Sequence, residues 1–343
     1  MQGEERNVFL TPAPARASPR EPLAASVVVC THNRGSLLGE SIEALLAQGF
    51  PEDDFEILVV DNASTDSTPA VLAELVRRHP GRVRAVREPV LGHSSSRNRG
   101  VLASRGRIVA YTDDDARVSP GWLAALVEAC SRPDVWCAGG PVRPLLKGKF
   151  PDWLTPAFFP YLALFDKGDA EADLVYNEYP RGVNIAFRRE AFRTVGLFST
   201  AFGRRGTRSL LSYDEIELVY RIARLGKRIL YIPAAEAFHV IDAERLTPEW
   251  FLRRFYWQGK SEVYFDLVHR GGGFVKENLR KEGRLRKAAK ALVSSGRDDE
   301  DLYARCRRRA WMGYAVGAFQ GWVTRIEARA RPTPYGVPVP ASR

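Results

Sequence analysis

The feature that most constrains this chain is a repeated strand, polar loop and helix, met three times before residue 105. Ala25-Ser26-Val27-Val28-Val29-Cys30 is an apolar run of strand length, and it stops at Thr31-His32-Asn33-Arg34-Gly35. The segment SLLGESIEALLAQGF then carries apolar residues at helical spacing and closes at Gly49. A second strand, Phe55 to Val60, stops at Asp61-Asn62-Ala63-Ser64-Thr65-Asp66 before the helical TPAVLAELVRRH. A weaker strand, Val83 to Val86, precedes a third helix opened by Gly92 and running to about Ser104. Such alternation predicts a mostly parallel, doubly wound α/β sheet, whose ligands lie outside the carboxyl ends of the strands. The polar clusters fall at those ends.

The fourth strand, Ile108-Val109-Ala110-Tyr111, ends in Thr112 and three successive carboxylates, Asp113, Asp114 and Asp115. Like charges at a strand end repel and resist burial unless something offsets them. A magnesium or manganese ion bridging carboxylates to a substrate phosphate does so; a solvated acidic turn is the alternative. A second acidic group, Asp214-Glu215-Ile216-Glu217, opens the helix IELVYRIARLG, where acidic residues also favour the helix dipole.

The formal charge of +10 is located, not diffuse. Through Ala243 there are 30 basic and 30 acidic residues; from Glu244 onward there are 21 and 11. A neutral body followed by a basic tail argues against a general nucleic-acid surface, and no nucleic-acid partner is expected. No run approaches the ~18 apolar residues of a membrane span, and the first residues lack the apolar core of a signal peptide. The four cysteines (Cys30, Cys130, Cys137, Cys306) show no metal-ligand spacing, which suits free thiols in a reducing, cytoplasmic setting. Residues 1–22 read as a disordered lead-in, 23–245 as the α/β domain, 246–331 as a basic helical extension and 332–343 as a flexible tail.

Six strings in this order resemble family 2 glycosyltransferases with the GT-A nucleotide-diphospho-sugar fold: SVVVCTHNR, ILVVDNASTDST, GHSSSRNRGV, VAYTDDDARVSPGWL, RGVNIAFRREAFRTVGLF and SYDEIELVYRIARLGKRILYIPAAEAFH. They span about Ser26 to His239. The resemblance implies a metal-dependent, inverting transfer from a nucleotide-diphospho-sugar, UDP by default, to a hydroxyl of a glycan or lipid-linked acceptor, in surface polysaccharide assembly. Thr31, His32, Asn33 and Arg34 would cradle the nucleotide, with His32 where the family often has Tyr. Asp61 would contact the base, or simply form an Asx turn on its own loop. Arg97 and Asn98 match positions near the nucleotide, Asp114 a position near the ribose, and Asn184 either holds the sugar or base or satisfies backbone groups. Asp115, with Asp113 completing the spacing, would bind Mn2+ or Mg2+, and His239 would be a further metal ligand or a half-buried histidine.

The family commonly has Glu-Asp where this chain has Asp214-Glu215. Alignment on the following Glu217-Leu218 puts Glu215, ahead of Asp214, at the position of the general base. Trp153, in an acceptor-side stretch from Phe150 to Glu178, could stack on a sugar or pack in the core. The basic helices after Pro248 suit either packing on the body or the surface of an anionic membrane, on the inner face of the plasma membrane. A Gly-rich, Lys-bearing phosphate loop and a G-x-G-x-x-G string are both missing after the first strand, which disfavours nucleotidyltransferase and dinucleotide chemistry. The non-enzymatic alternative is a degenerate family member or a membrane-surface adaptor.

Overall fold

The structure, a computed structural model, describes residues 22–175, 178–206, 209–281 and 301–326. The expected lead-in and flexible tail, and much of the basic segment VKENLRKEGRLRKAAKALVSS, lie outside the described residues. The alternation seen in the sequence appears as β1 (Ala25–Thr31), α1 (Gly35–Leu46), β2 (Phe55–Asp61), α2 (Thr68–Arg78), β3 (Val83–Arg87), α3 (His93–Ala103) and β4 (Ile108–Asp113). After these come β5 (Ala116–Val118), α4 (Trp122–Ser131), β6 (Val135–Gly139), β7 (Val142–Leu145) and β8 (Ala172–Asp173). The rest is β9 (Ile185–Arg188), α5 (Arg189–Val195), α6 (Asp214–Ala223), β10 (Arg228–Tyr231), β11 (Ala237–Val240), α7 (Pro248–Arg280) and α8 (Leu302–Thr324).

Eight strands form one sheet in the order β3-β2-β1-β4-β9-β6-β10-β8. The first four are parallel, β9 is antiparallel between β4 and β6, and β10 runs parallel to β6. The sheet is thus mostly parallel, as expected, but β9 joins its two halves in a direction the alternation did not announce. Both faces of the central strands are buried, so β1 and β2 read as continuous apolar runs. Val27, Val29, Ile57 and Val59 pack with α1, α2 and α4. Val28, Leu58 and Val109 pack with Val101, Phe192, Phe198 and Leu218 on the other face.

Register makes this edge functional. Thr31 pairs with Asp61 across β1 and β2, and Cys30 with Asp113 across β1 and β4, so the polar strand ends are level. A second sheet, β5-β11-β7, lies beside them.

After the sheet, α7 starts at a Thr247 cap whose side chain accepts from Trp250 N, and it kinks at Gly271 (φ +81°). It pairs with α8 along a seam of glycines: a Cβ on Gly259 would meet the Ala310 carbonyl, and one on Gly313 the Tyr256 carbonyl, each at 1.8 Å. Only glycine lets two helices come this close. Trp153 meets Phe158 and Phe251 edge-on, with ring centroids at 5.9 and 5.7 Å. It belongs to the aromatic core that seats α7, and the sugar-stacking alternative is not what this packing favours. Among the described residues no helix is long and apolar enough to cross a membrane.

Candidate active site

At the level strand ends the loops are tied to one another by side chains. Asn33, in the left-handed region at φ +54°, accepts from Thr65 N at 2.8 Å, and Asn33 N donates to Ser64 Oγ at 2.9 Å. His32 Nδ1 lies 2.7 Å from the Asn62 carbonyl, which accepts its proton and fixes the ring over the β2 loop. Asp61 takes up the Asx-turn geometry, its Oδ1 accepting from Ser64 N at 3.0 Å. Its other oxygen, Oδ2, is buried and has no partner among the described residues. An unsatisfied buried carboxylate oxygen costs free energy and calls for a donor from outside the fold. Base contact and Asx turn are therefore compatible.

Asp114 and Asp115 are both buried. Thr31 donates its hydroxyl to Asp114 at 2.7 Å, and Arg34 donates to Asp114 at 3.1 Å and to Asp115 at 2.5 Å. Burial pushes the Asp114 carboxyl up to about 7, against the pull of Arg34. Burial would raise Asp115 too, but His239, Arg34 and Arg245 together hold it well below the usual carboxylate range. Arg245 contributes from 3.3 Å.

His239 arrives here through the small sheet. It pairs with Ala116 across β11 and β5, and Val240 N donates to the Asp115 carbonyl at 2.9 Å. Its Nδ1 is 3.0 Å from the Leu162 carbonyl, and its Nε2 lies 3.5 Å from Asp115 Oδ1 and 3.2 Å from Arg245 Nη1. Asp113, Asp115 and His239 each offer a ligand atom, all within 4.8 Å of one another. Two carboxylates and an imidazole whose Nδ1 is held by the Leu162 carbonyl fit a divalent cation such as manganese. The guanidinium groups that crowd Asp115 show how strongly this spot draws positive charge.

The second acidic group is near this one, since Arg97 feels the charges of Asp214, Glu215 and Asp113 together. Tyr213, left-handed at φ +78°, turns the chain into α6 and places Asp214 and Glu215 on its first turn. Asp214 is buried between His93 Nδ1 at 3.0 Å and Arg97 Nη1 at 2.9 Å. Burial opposes its charge, but Arg97 and His93 hold the carboxyl well below its usual range. Glu215 reaches Arg97 only at 3.5 Å and keeps its side chain 18% exposed. Burial, with Asp214 beside it, pushes Glu215 up to about 7. A Cβ on Gly182 would meet Arg97 Nη2 at 2.3 Å and Glu215 Oε1 at 3.0 Å, so a glycine here leaves room for the pair.

Three further candidates are engaged within the fold. Arg97 is buried, lies over the rings of Tyr111 and Phe198 at 5.5 Å each, and donates to Asp214. Asn98 is buried, and its amide exchanges two hydrogen bonds with the backbone of Phe198. Asn184 donates to the Pro141 and Ala235 carbonyls and accepts from Trp122 Nε1, so both its donor hydrogens are spent on the fold. Local sequence carries no mark of whether an amide serves a ligand or a backbone. Residues the sequence left unremarked are His93, Arg245 and Arg254; each is recruited by tertiary packing, and only His93, beside Gly92, sat within a quoted string.

Comparison with known proteins agrees with this architecture. Residues 26–196 match the family described as glycosyl transferase family 2. A glucosyl-dolichyl phosphate glucuronosyltransferase of Haloferax volcanii is 28% identical over 259 residues, 72% of this chain and 79% of the relative. The succinoglycan biosynthesis protein ExoM of Rhizobium meliloti is 26% identical over 246 residues, 71% of this chain and 75% of the relative. Among solved structures, the mannosyltransferase PcManGT from Pyrobaculum calidifontis, in complex with GDP-Man and Mn2+, superposes with a TM-score of 0.52 at 20% identity, covering 90% of this chain and 79% of that one; this likeness speaks for the fold. With its level carboxylate-bearing strand ends and the GT-A sheet around them, the chain belongs to glycosyl transferase family 2 and is a glycosyltransferase.

Proposed function

We propose that the protein is a metal-dependent, inverting glycosyltransferase that moves a sugar from a nucleotide-diphospho-sugar, a UDP-sugar by default, to a hydroxyl of a glycan or lipid-linked acceptor during surface polysaccharide or glycolipid assembly. The observation that carries this is the convergence of Asp113, Asp115 and His239 opposite a raised, accessible Glu215. A bound cation would offset the charge that develops on the departing diphosphate. Thr31 and Arg34 orient Asp114 and Asp115; Asp61 has a free oxygen for the base; His239 turns its Nε2 toward Asp115.

Glu215 takes the proton from the acceptor hydroxyl as that oxygen attacks the anomeric carbon and the sugar–phosphate bond breaks. One displacement from the face opposite the leaving group inverts the anomeric centre. Asp214, locked by Arg97 and His93, is a positioning residue that keeps a fixed negative charge beside Glu215 and so raises its proton affinity.

The C-terminal pair supports docking on an anionic membrane from the cytoplasmic side. Val316, Phe319, Trp322 and Val323 are exposed on α8, and Lys276 lies 6.0 Å from the Trp322 ring. The body, residues 23–245, would then work against a surface held by residues 246–331.

A thermal-shift panel of UDP, GDP and dTDP with and without manganese tests the donor site. One nucleotide should stabilise the protein, only with metal, and the response should vanish in Asp115→Asn. Indifference to every nucleotide sinks the reading.

A further inference from the structure

Beside Glu215 stand guanidinium groups whose hydrogen-bonding capacity is unspent. Arg254, near the start of α7, faces Tyr179, Tyr161, Glu215 and Tyr213. Its Nη2 reaches Ser212 Oγ at a long 3.4 Å, while its Nη1 is shielded from solvent with no acceptor among the described residues. Its Cζ lies 5.9 Å from the Tyr161 ring centroid. Arg181, adjacent to Gly182, is held between the Tyr179 and Phe165 rings at 4.6 and 5.0 Å, and its Nε is likewise shielded and unpartnered. Arg204 lies on the metal side of this group, among Arg245, Arg254, Asp113 and Asp115.

A guanidinium withdrawn from water without an acceptor is costly, and neighbouring cations compound that cost. Glu215 is turned toward Arg97 and Asp214, and among the described residues no ion pair joins it to Arg254 or Arg181. Glu262 lies near the same three tyrosines, and an anion brought by a substrate would add the further acceptor that Arg254 Nη1 and Arg181 Nε do not have among the described residues.

We propose that Arg254 and Arg181 form a subsite for an anion carried by the acceptor, a phosphate or a sugar carboxylate, next to the hydroxyl that Glu215 deprotonates. The position decides between substrates. A general base works within hydrogen-bond reach of the acceptor hydroxyl, so groups that border the base border the acceptor. The donor diphosphate belongs with Asp113, Asp115 and His239, where Arg34 and Arg245 already stand. A planar guanidinium fork matches either a phosphate or a carboxylate in bidentate geometry.

This inference rests on the transferase reading above, and its test separates the two. Octyl phosphate, octyl glucuronide and octyl glucoside, each below its micelle concentration, are titrated calorimetrically into the full chain with and without UDP and manganese. Wild type should bind one anionic probe at least about tenfold more tightly than octyl glucoside, a difference of about 1.4 kcal/mol. Whichever anion wins names the source, phosphate or carboxylate. Arg254→Gln and Arg181→Gln should each erase most of that preference, Arg254→Lys should keep part of it, and UDP affinity should stay within about twofold of wild type. Equal binding of all three probes by wild type overturns the subsite. So does an Arg254→Gln protein that melts like wild type but loses UDP as strongly as the anionic probe, since the anion would then be the donor's own diphosphate. Failure of wild type to bind any nucleotide overturns the transferase reading instead, while the nucleotide-free titration still decides the anion preference.

Discussion

Nδ1 of His93 lies 3.0 Å from Oδ2 of Asp214. With Arg97 on the same oxygen, Asp214 is a pinned anion and Glu215 is the carboxylate free to exchange a proton. Glu215→Gln should therefore lower kcat by about 100-fold or more, in the range a positioned general base contributes. Asp214→Asn should leave measurable activity but shift its pH dependence. If Asp214→Asn is the inactive variant and Glu215→Gln is not, the roles are reversed.

The pH dependence has a definite sign. A base must be ionised, and Glu215 is pushed up to about 7, so kcat should rise with pH to about 7 and then level off. Removing the Asp214 charge lowers the proton affinity of Glu215, which moves that rise to lower pH. Stability runs the other way: a carboxyl raised from 4.5 contributes stability that is full below about 4.5 and lost as pH rises through about 7. Denaturation of wild type and Glu215→Gln across this window should show wild type losing ground as pH increases; a flat difference contradicts it.

Metal affinity should depend on His239 through its tautomer as well as its presence. His239→Ala should weaken manganese binding by about 10- to 100-fold, the scale seen when an ordered ligand shell is disturbed. Calorimetry with manganese and UDP reads this directly. An unchanged affinity would remove His239 from the site.

Asn184 gives the opposite kind of prediction. Its amide holds Pro141, Ala235 and Trp122 together, so Asn184→Leu strands buried polar groups at a cost of about 1–3 kcal/mol each. Melting temperature should fall while nucleotide affinity in the folded protein holds. Loss of nucleotide binding without loss of stability would restore Asn184 to the donor site.

Much of this site could be seen in the sequence because parallel sheets deliver their strand ends to one edge. Thr31, Asp61 and Asp113 are level for that reason alone. What stayed hidden depends on partners distant in the chain. His239 reaches Asp115 only because β11 pairs with β5, and β9 enters the sheet antiparallel to both its neighbours. Alignment on Glu217-Leu218 put Glu215 ahead of Asp214 as the base, but the physical cause of that division lies outside the local sequence. Successive helix positions point about 100° apart, and the left-handed Tyr213 decides which one turns inward toward Arg97. Asn98 and Asn184 sat in recognisable strings, yet each is spent on backbone groups that no local pattern displays.

The glycine seam gives the C-terminal helices a mechanical meaning. Where a Cβ would sit 1.8 Å from the opposite carbonyl, α7 and α8 cannot slide or hinge past each other, and they move as one lever. One end of that lever carries Arg254 at the cleft, and its outer side carries Phe319 and Val323. An anchor on the outside of α8 would be linked through that seam to Arg254, so attachment and acceptor capture would share a single moving part.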